Sequence, residues 1–243
     1  MEPLVRFEQR GGVGVLTLSR ADKRNALNLA LWGELEAHLA TIEALGEALG
    51  AVVLRAAGPV FCAGNDLKER GIAAPRANYQ ASIVTRLASL PQPVIVAVQG
   101  GCFTGGLELA LAGDIILAGE SASFADTHGK FALVPVWGMS QRLPRRVGQW
   151  KAREISFTGL PVSGVEAARI GLANACVPDA ELEARTLEMA EAIAAQSRHS
   201  VFAYKRLYTA QADLPLEAGL AYEIVNSAGV GPDMAERVSG RFG

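Results

Sequence analysis

The sequence predicts an α/β fold in which strands of parallel or mixed sheets are joined by helices. Short apolar runs alternate along the chain with amphipathic segments of helical period, and glycine- or proline-containing turns separate them. This alternation is typical of strands connected by helical crossovers. With 243 residues, the chain fits one large domain or two small ones, and it can bury a sizeable core.

Three strands are predicted in the first hundred residues. The segments 14–18, 51–55 and 94–98 are short, rich in Val, Ile or Leu, and bounded by turn residues. A glycine-containing segment follows each of the last two strands.

Two amphipathic helices are predicted between these strands. Asn28 is a candidate N-cap, and apolar residues then recur every three or four positions from Leu31 to Leu45. A second series runs from Tyr79 to Leu90, and the prolines that follow it predict the end of that helix.

The character of the chain changes after about residue 159, where helical patterns replace strands. The segment 163–166 (SGVE) is a capping-box pattern that predicts the start of a short helix. Further helices are predicted up to about residue 197, over 200–211 and over 216–228. Since no linker or charge block precedes them, we expect the residues 178–243 to pack on the core formed by residues 1–177.

Composition excludes several classes of function. The 23 basic and 25 acidic residues give no basic field for nucleic acid, and no run approaches the ~20 apolar residues needed to span a membrane. The three cysteines, Cys62, Cys102 and Cys176, show no metal-ligand spacing, so no metal is expected. The N-terminus shows no secretory signal, which together with the cysteines predicts a cytoplasmic protein.

The two glycine-containing segments are the strongest functional signal. They are 61–67 (FCAGNDL) and 100–108 (GGCFTGGLE). A chain that turns from a strand into a helix leaves N–H groups without intrahelical partners, and glycine allows a ligand to approach the backbone. Two such donors on one carbonyl oxygen would form an oxyanion hole.

These segments and three others carry a resemblance to a known family. The others are 20–27 (RADKRNAL), 113–118 (GDIILA) and 141–148 (QRLPRRVG). Together, in this order, they resemble the crotonase family, also called the enoyl-CoA hydratase/isomerase family. The resemblance covers nearly the whole chain.

The resemblance implies a fold, a substrate and an assembly. Residues 1–177 would form a crotonase-like spiral of repeated β-β-α units, and the helices of 178–243 would contact neighbouring subunits in a homotrimer or a dimer of trimers. The substrate would be an acyl-CoA thioester. Coenzyme A would enter as part of that substrate, with no tightly bound cofactor.

The resemblance also assigns candidate site residues. The oxyanion donors would be the N–H groups of Asn65 and Gly105, and Trp137 and Met139 would line the acyl pocket. The residues expected to contact coenzyme A are Arg24, Asn25, Ala26, Ala63, Gly64, Asp66 and Leu67. Alternatively, 61–67 is an ordinary turn capped by Asp66, and the two pocket residues are core side chains.

Glu108 is a candidate general acid or base. It lies in an apolar segment with no basic residue three or four positions away, so we expect its carboxyl pKa to be raised, as proton transfer near neutral pH requires. In the resemblance, it occupies the position of the first of two catalytic glutamates of hydratases. The alternatives are an exposed helix position and a buried carboxylate satisfied by a distant donor.

His128 occupies the position of the second glutamate of the resemblance. A histidine can donate or accept a proton near neutral pH, so it is a candidate second proton-transfer group. Asp126, two residues away, could orient its ring. Alternatively, His128 only makes local hydrogen bonds.

The first hypothesis is therefore an enoyl-CoA hydratase or isomerase that stabilises an enolate. Related reactions, namely double-bond migration, decarboxylation or thioester hydrolysis, would use the same oxyanion hole. A non-catalytic acyl-CoA-binding protein is the alternative from a different class, and the presence of Glu108 argues against it.

Overall fold

The predicted α/β class is confirmed by a computed structural model, which describes residues 2–69, 71–212 and 214–242, without the side chains of 240–242. The strands are β1 Val5–Arg10, β2 Val13–Leu18, β3 Ala51–Ala56, β4 Val94–Val98, β5 Gly101–Phe103, β6 Ile115–Gly119, β7 Ser123–Ala125, β8 Val162–Ser163 and β9 Ala175–Val177. The α-helices are α1 Leu29–Leu45, α2 Tyr79–Ala88, α3 Gly105–Ala110, α4 Met139–Val147, α5 Gln149–Thr158, α6 Gly164–Arg169, α7 Leu182–Ala194, α8 Arg198–Gln211, α9 Leu216–Asn226 and α10 Met234–Phe242.

The described strands form a large sheet and a small one. The large sheet has the order β1-β2-β3-β4-β6-β9, with β1 antiparallel to β2 and the other pairs parallel. The small sheet has the order β5-β7-β8. The chain passes from β4 to β5, back to β6 and again to β7, so it winds repeatedly from one sheet to the other.

Helix α1 follows the predicted pattern closely. The Asn28 side chain accepts a hydrogen bond from the Leu31 N–H, which satisfies one free donor of the first turn. Its buried face includes Leu35 and Leu39. Helix α2 ends at Ala88, before the predicted end at residue 90, because the chain must already leave the helix ahead of the prolines that follow.

Apolar clusters cover both faces of the large sheet. On one face, α1 and α2 enclose the larger cluster, which includes Leu31, Ile83 and Leu107. On the other face, Leu182 and Ala190 of α7 pack on the sheet. No described helix has the length and apolarity needed to cross a bilayer.

The described C-terminal helices differ in how they pack. Helix α7 buries side chains against the large sheet, whereas α8 and α9 bury none. The division of the chain into residues 1–177 and 178–243 stays a prediction.

Candidate active site

The two glycine-containing segments lie side by side and are hydrogen-bonded to each other. The Cys62 N–H donates to the Gly101 carbonyl at 3.0 Å, and the Cys62 carbonyl accepts from the Phe103 N–H at 3.0 Å. A Cβ atom on Gly106 would lie only 2.6 Å from the Cys62 oxygen. Glycine at position 106 therefore allows α3 to approach the first segment.

The first predicted donor, the N–H of Asn65, is left free by the pairing around it. The Gly64 carbonyl accepts from the Leu27 N–H at 2.9 Å, and the Leu27 carbonyl accepts from the Asp66 N–H at 2.9 Å. Residue 65 takes part in neither of these hydrogen bonds. Among the described residues, the Asn65 N–H has no acceptor.

The second predicted donor, the N–H of Gly105, is the first of α3 and also has no acceptor in the described part of the chain. A Cβ atom on Gly64 would lie 3.5 Å from the Gly105 nitrogen, so the two turns are neighbours. The preceding residue, Thr104, has a φ of 52°, unusual for a residue other than glycine. Its N–H bonds to the Ala125 carbonyl at 2.9 Å and its hydroxyl to Thr127, which hold this backbone in place.

Glu108 is a buried carboxyl on α3, with 1% of its surface exposed, which excludes an exposed helix position. Its Oε1 accepts from the N–H groups of Trp137 at 2.8 Å and Met139 at 3.1 Å. Burial raises the pKa of Glu108, and these two N–H donors offset only part of the rise. Main-chain donors from a distant part of the sequence thus position the carboxyl group, while burial keeps its pKa raised.

His128 lies between two carboxyl groups. Its Nδ1 is 2.6 Å from Asp126 Oδ1, and its Nε2 is 3.6 Å from Glu108 Oε2. Burial opposes ionisation of Asp126, but hydrogen bonds from His128 and Ser156 hold the pKa of this carboxyl below its ordinary value. The structure therefore brings Asp126, His128 and Glu108 together in one row.

Trp137 touches several parts of this site. Its ring lies 5.1 Å from that of buried Trp32 in an edge-to-face arrangement at 77°. A Cβ atom on Gly105 would lie 2.4 Å from ring atom Cζ3, so the indole covers the start of α3. Its main chain donates to Glu108 and accepts from Arg142 Nη1 at 2.7 Å. One residue thus positions the carboxyl group and limits the space beside the Gly105 N–H.

The candidate coenzyme A residues near position 25 form a tight turn. Arg24 and Asn25 both have a φ of 52°. The Asn25 side chain is fully buried and donates to the carbonyls of Ala57 at 3.0 Å and Val60 at 2.8 Å. The Asn25 side-chain amide therefore stabilises the fold. The main chain of the turn and half-buried Ala26 are the parts that could contact a ligand.

Asp66, one of the candidate coenzyme A residues, makes hydrogen bonds within the protein. Asp66 pairs with Arg20 at 2.6 Å and accepts from the Lys68 N–H at 3.1 Å. The hydrogen bond from Arg20 lowers the pKa of this carboxyl. Leu67 is exposed and Ala63 half-buried on the same turn.

Another residue of the prediction, Met139, is packed inside the protein. The Met139 side chain is buried in the larger apolar cluster, and its N–H is what contacts Glu108. Lys205 of α8, which was not among the predicted site residues, pairs with Asp114 at 2.6 Å and donates to the Gln92 carbonyl at 3.0 Å. Among the described residues, no three His, Cys, Asp or Glu side chains are arranged to hold a metal ion.

Comparisons with known proteins agree with the resemblance seen in the sequence. Residues 8–231 match the family model described as enoyl-CoA hydratase/isomerase. A Rhizobium meliloti protein named as a probable enoyl-CoA hydratase is 36% identical over 219 residues, which cover 89% of this chain and 85% of that protein. A probable peroxisomal enoyl-CoA hydratase of Arabidopsis thaliana is 33% identical over 218 residues, covering 89% and 82%.

A solved structure extends the similarity to three dimensions. The crystal structure of an enoyl-CoA hydratase from Bacillus anthracis superposes with a TM-score of 0.92 at 34% identity, covering 98% of this chain and 95% of that one. The similarity therefore includes both sheets and the helices around them.

We expect Glu108→Gln to become more stable relative to the wild type as pH rises. Because the Glu108 pKa is raised from 4.5, the folded state keeps a proton that the unfolded state releases, and wild-type stability falls as pH rises through that window. Glutamine keeps the Oε1 acceptor but does not titrate. Urea unfolding between about pH 4 and pH 8 measures the difference, with exposed Glu191→Gln as the matched control. A difference that is constant or shrinks with pH would contradict the interpretation.

Proposed function

The chain belongs to the enoyl-CoA hydratase/isomerase family, and we propose that it adds water across the double bond of an enoyl-CoA thioester. The observation that carries the proposal is the pair of neighbouring N–H groups, of Asn65 and Gly105, that have no acceptor among the described residues. A buried carboxyl and a buried imidazole accompany them. Such a combination suits acyl chemistry that passes through an oxyanion.

In the proposed complex, the thioester oxygen accepts hydrogen bonds from both N–H groups. The carbonyl becomes more electron-withdrawing, so the conjugated β-carbon is more easily attacked by water. As the oxygen gains negative charge, these donors stabilise the enolate more strongly than the substrate, which lowers the barrier. The main chain of 24–26 and 63–67 is proposed to receive the coenzyme A portion.

The proton transfers are assigned to His128 and Glu108. Nε2 of His128 takes a proton from water while the water oxygen bonds to the β-carbon, and the double-bond electrons move onto the thioester to form the enolate. Protonated Glu108 then gives its proton to the α-carbon, which yields a 3-hydroxyacyl thioester. Because burial raises the Glu108 pKa, its acid form is available for this step. A proton transfer from Nε2 to Oε2, which lie 3.6 Å apart, restores the starting state.

A second candidate is hydrolysis of the thioester, favoured by the carboxylate bound to His128 Nδ1. An imidazole oriented in this way commonly activates water. Nε2 would take a proton from water as the oxygen bonds to the carbonyl carbon, the oxyanion would use the same two N–H groups, and the C–S bond would then break. Protonation of the departing thiolate completes the reaction. Release of free thiol distinguishes hydrolysis from hydration.

Acyl selection is assigned to Trp137. Its indole lies against Gly105 and is supported from behind by buried Trp32. A rigid aromatic wall at this point would limit the size of the acyl group near the carbonyl. Met139 stays a proposed pocket residue, although its side chain lies in the core.

Assembly is proposed to bury an apolar surface that the single chain leaves open. Helix α9 exposes Leu216, Leu220, Ile224 and Val225, with Ile224 80% exposed. Exposed apolar side chains in such number mark interaction sites. We therefore propose a homotrimer or a dimer of trimers. The proposed location is cytoplasmic, although one relative is named as peroxisomal.

The donor role of Gly105 can be separated from its small size. Both variants are made in a Trp137→Ala background, because that change removes the ring with which a Cβ atom at position 105 would collide. We expect Gly105→Ala to keep the activity of this background. Gly105→Pro should lose at least ~100-fold in kcat relative to it, because proline has no N–H. Proline is otherwise tolerated at the first residue of a helix. Circular dichroism checks the fold, and equal turnover of two folded variants would rule out the donor role.

The proton-transfer roles predict a graded response to substitution. Loss of crotonyl-CoA absorbance would be followed for the wild type, Glu108→Gln, His128→Ala and His128→Glu. We expect Glu108→Gln to lose ~100- to 10,000-fold, because it removes the titrating group with little change in shape, and His128→Ala to keep a residual rate. His128→Glu should hydrate faster than His128→Ala. If the wild type and His128→Glu both bind crotonyl-CoA and are inert, hydration is the wrong reaction.

The assembly predicts a mass well above that of one chain. Light scattering at micromolar concentration should give three or six times 25.5 kDa. Ile224→Asp should lower the mass because it places a charge on the apolar face of α9, whereas Ile224→Val, the matched control, should not. A monomeric wild type would overturn the proposal.

A further inference from the structure

Asp126 is a buried carboxyl group that the proposed reaction does not use. It is 4% exposed, and its Oδ1 lies 2.6 Å from His128 Nδ1 and 3.2 Å from the His128 N–H. The Ser156 side chain lowers the pKa of the same carboxyl group. The main-chain N–H and the ring of His128 therefore both hold Asp126 in place.

The contact with Asp126 determines which nitrogen of neutral His128 carries the proton. The pKa of Asp126 is lowered, so the group is ionised near neutral pH, and an ionised carboxylate can only accept hydrogen bonds. At 2.6 Å from Asp126, Nδ1 must therefore be the protonated nitrogen. Nε2 is then left with a lone pair, and it is the nitrogen that faces Glu108.

We propose that Asp126 is a positioning residue that holds His128 in this tautomer, so that Asp126 and His128 together replace one glutamate. The inference rests on the proposed function, because Nε2 is the atom assigned to take the proton from water. With neutral His128, the pair carries one negative charge, as an ionised glutamate does. After Nε2 takes a proton the pair is neutral, as a protonated glutamate is. A lone histidine in this place would instead change from neutral to positive.

A purely structural role for Asp126 would be to cap the turn through the His128 N–H. That role needs an acceptor oxygen but no charge, and it does not depend on the tautomer of the ring. Asp126→Asn keeps an oxygen of the same shape and removes the charge, while Asp126→Ala removes the acceptor altogether. The two variants therefore separate the turn from the imidazole.

The tautomer can be read by NMR with ¹⁵N-labelled histidine, because protonated and unprotonated ring nitrogens have distinct shifts. The chain has three histidines, and the signals absent from His128→Gln identify His128. In the neutral ring of the wild type, we expect the proton on Nδ1. In Asp126→Ala and in Asp126→Asn, where Nδ1 no longer faces a carboxylate, we expect a mixture of the two forms, with a larger share of the proton on Nε2 than in the wild type.

The kinetic readout uses the same proteins. Both variants should lose at least ~10-fold in kcat on crotonyl-CoA, with KM changed less than ~3-fold. The reason is that the charge that stabilises the protonated ring is removed and Nε2 carries a proton in part of the molecules, while the groups that bind the substrate remain. Asp179→Asn is the matched control, because Asp179 also accepts from a main-chain N–H, that of Ser121, and is exposed. It should change neither the His128 signals nor kcat.

Three results would overturn the inference. They are a wild-type ring with its proton on Nε2, variants that keep the wild-type tautomer, and a changed tautomer with unchanged kcat. A wild type that is inert on every thioester contradicts the proposed function instead, and the spectra still decide whether Asp126 fixes the tautomer. If Asp126→Ala does not fold, Asp126→Asn and the wild-type spectrum decide it.

Discussion

The main-chain pairing of Cys62 with Gly101 and Phe103 brings the two halves of the site together. This short contact links the loop that follows β3 to β5, the first strand of the small sheet. It requires glycine at position 106, since a Cβ atom there would collide with the Cys62 carbonyl. Neighbouring main-chain groups are hydrogen-bonded in this pairing, whereas the N–H groups of Asn65 and Gly105 have no acceptor in the part of the chain that the structure describes.

The first turn of α3 also carries a buried carboxyl group, that of Glu108. Glu108 is one turn into α3, and it is held by N–H groups from the loop that precedes α4 and from the first residue of α4. Burial of a carboxyl group costs free energy, and two N–H donors recover only part of it. Thr104, with its left-handed backbone, adds local strain next to the same helix. Backbone strain and a buried carboxyl group thus lie in one turn, as is typical of functional sites.

The sequence predicted those helices and strands that have a clear hydrophobic pattern or a helix-capping residue. Helix α1 with its Asn28 cap and strand β4 agree closely with the prediction. Strands β5 and β7, of three residues each, are too short for a period-two pattern to be visible, and the prediction omitted them. Their existence depends on contacts with distant segments, which a local pattern does not contain.

The sequence predicted candidate site residues but not the contacts between them. The spacing suggested that Asp126 could orient His128, but only the fold turns Nδ1 toward one carboxyl group and Nε2 toward another. This arrangement explains how a histidine could stand where a second glutamate is expected. A carboxylate beside the ring supplies the negative charge, and the ring supplies the nitrogen that faces Glu108. Neither Asp126 nor His128 alone reproduces a glutamate, so the role proposed for His128 depends on Asp126.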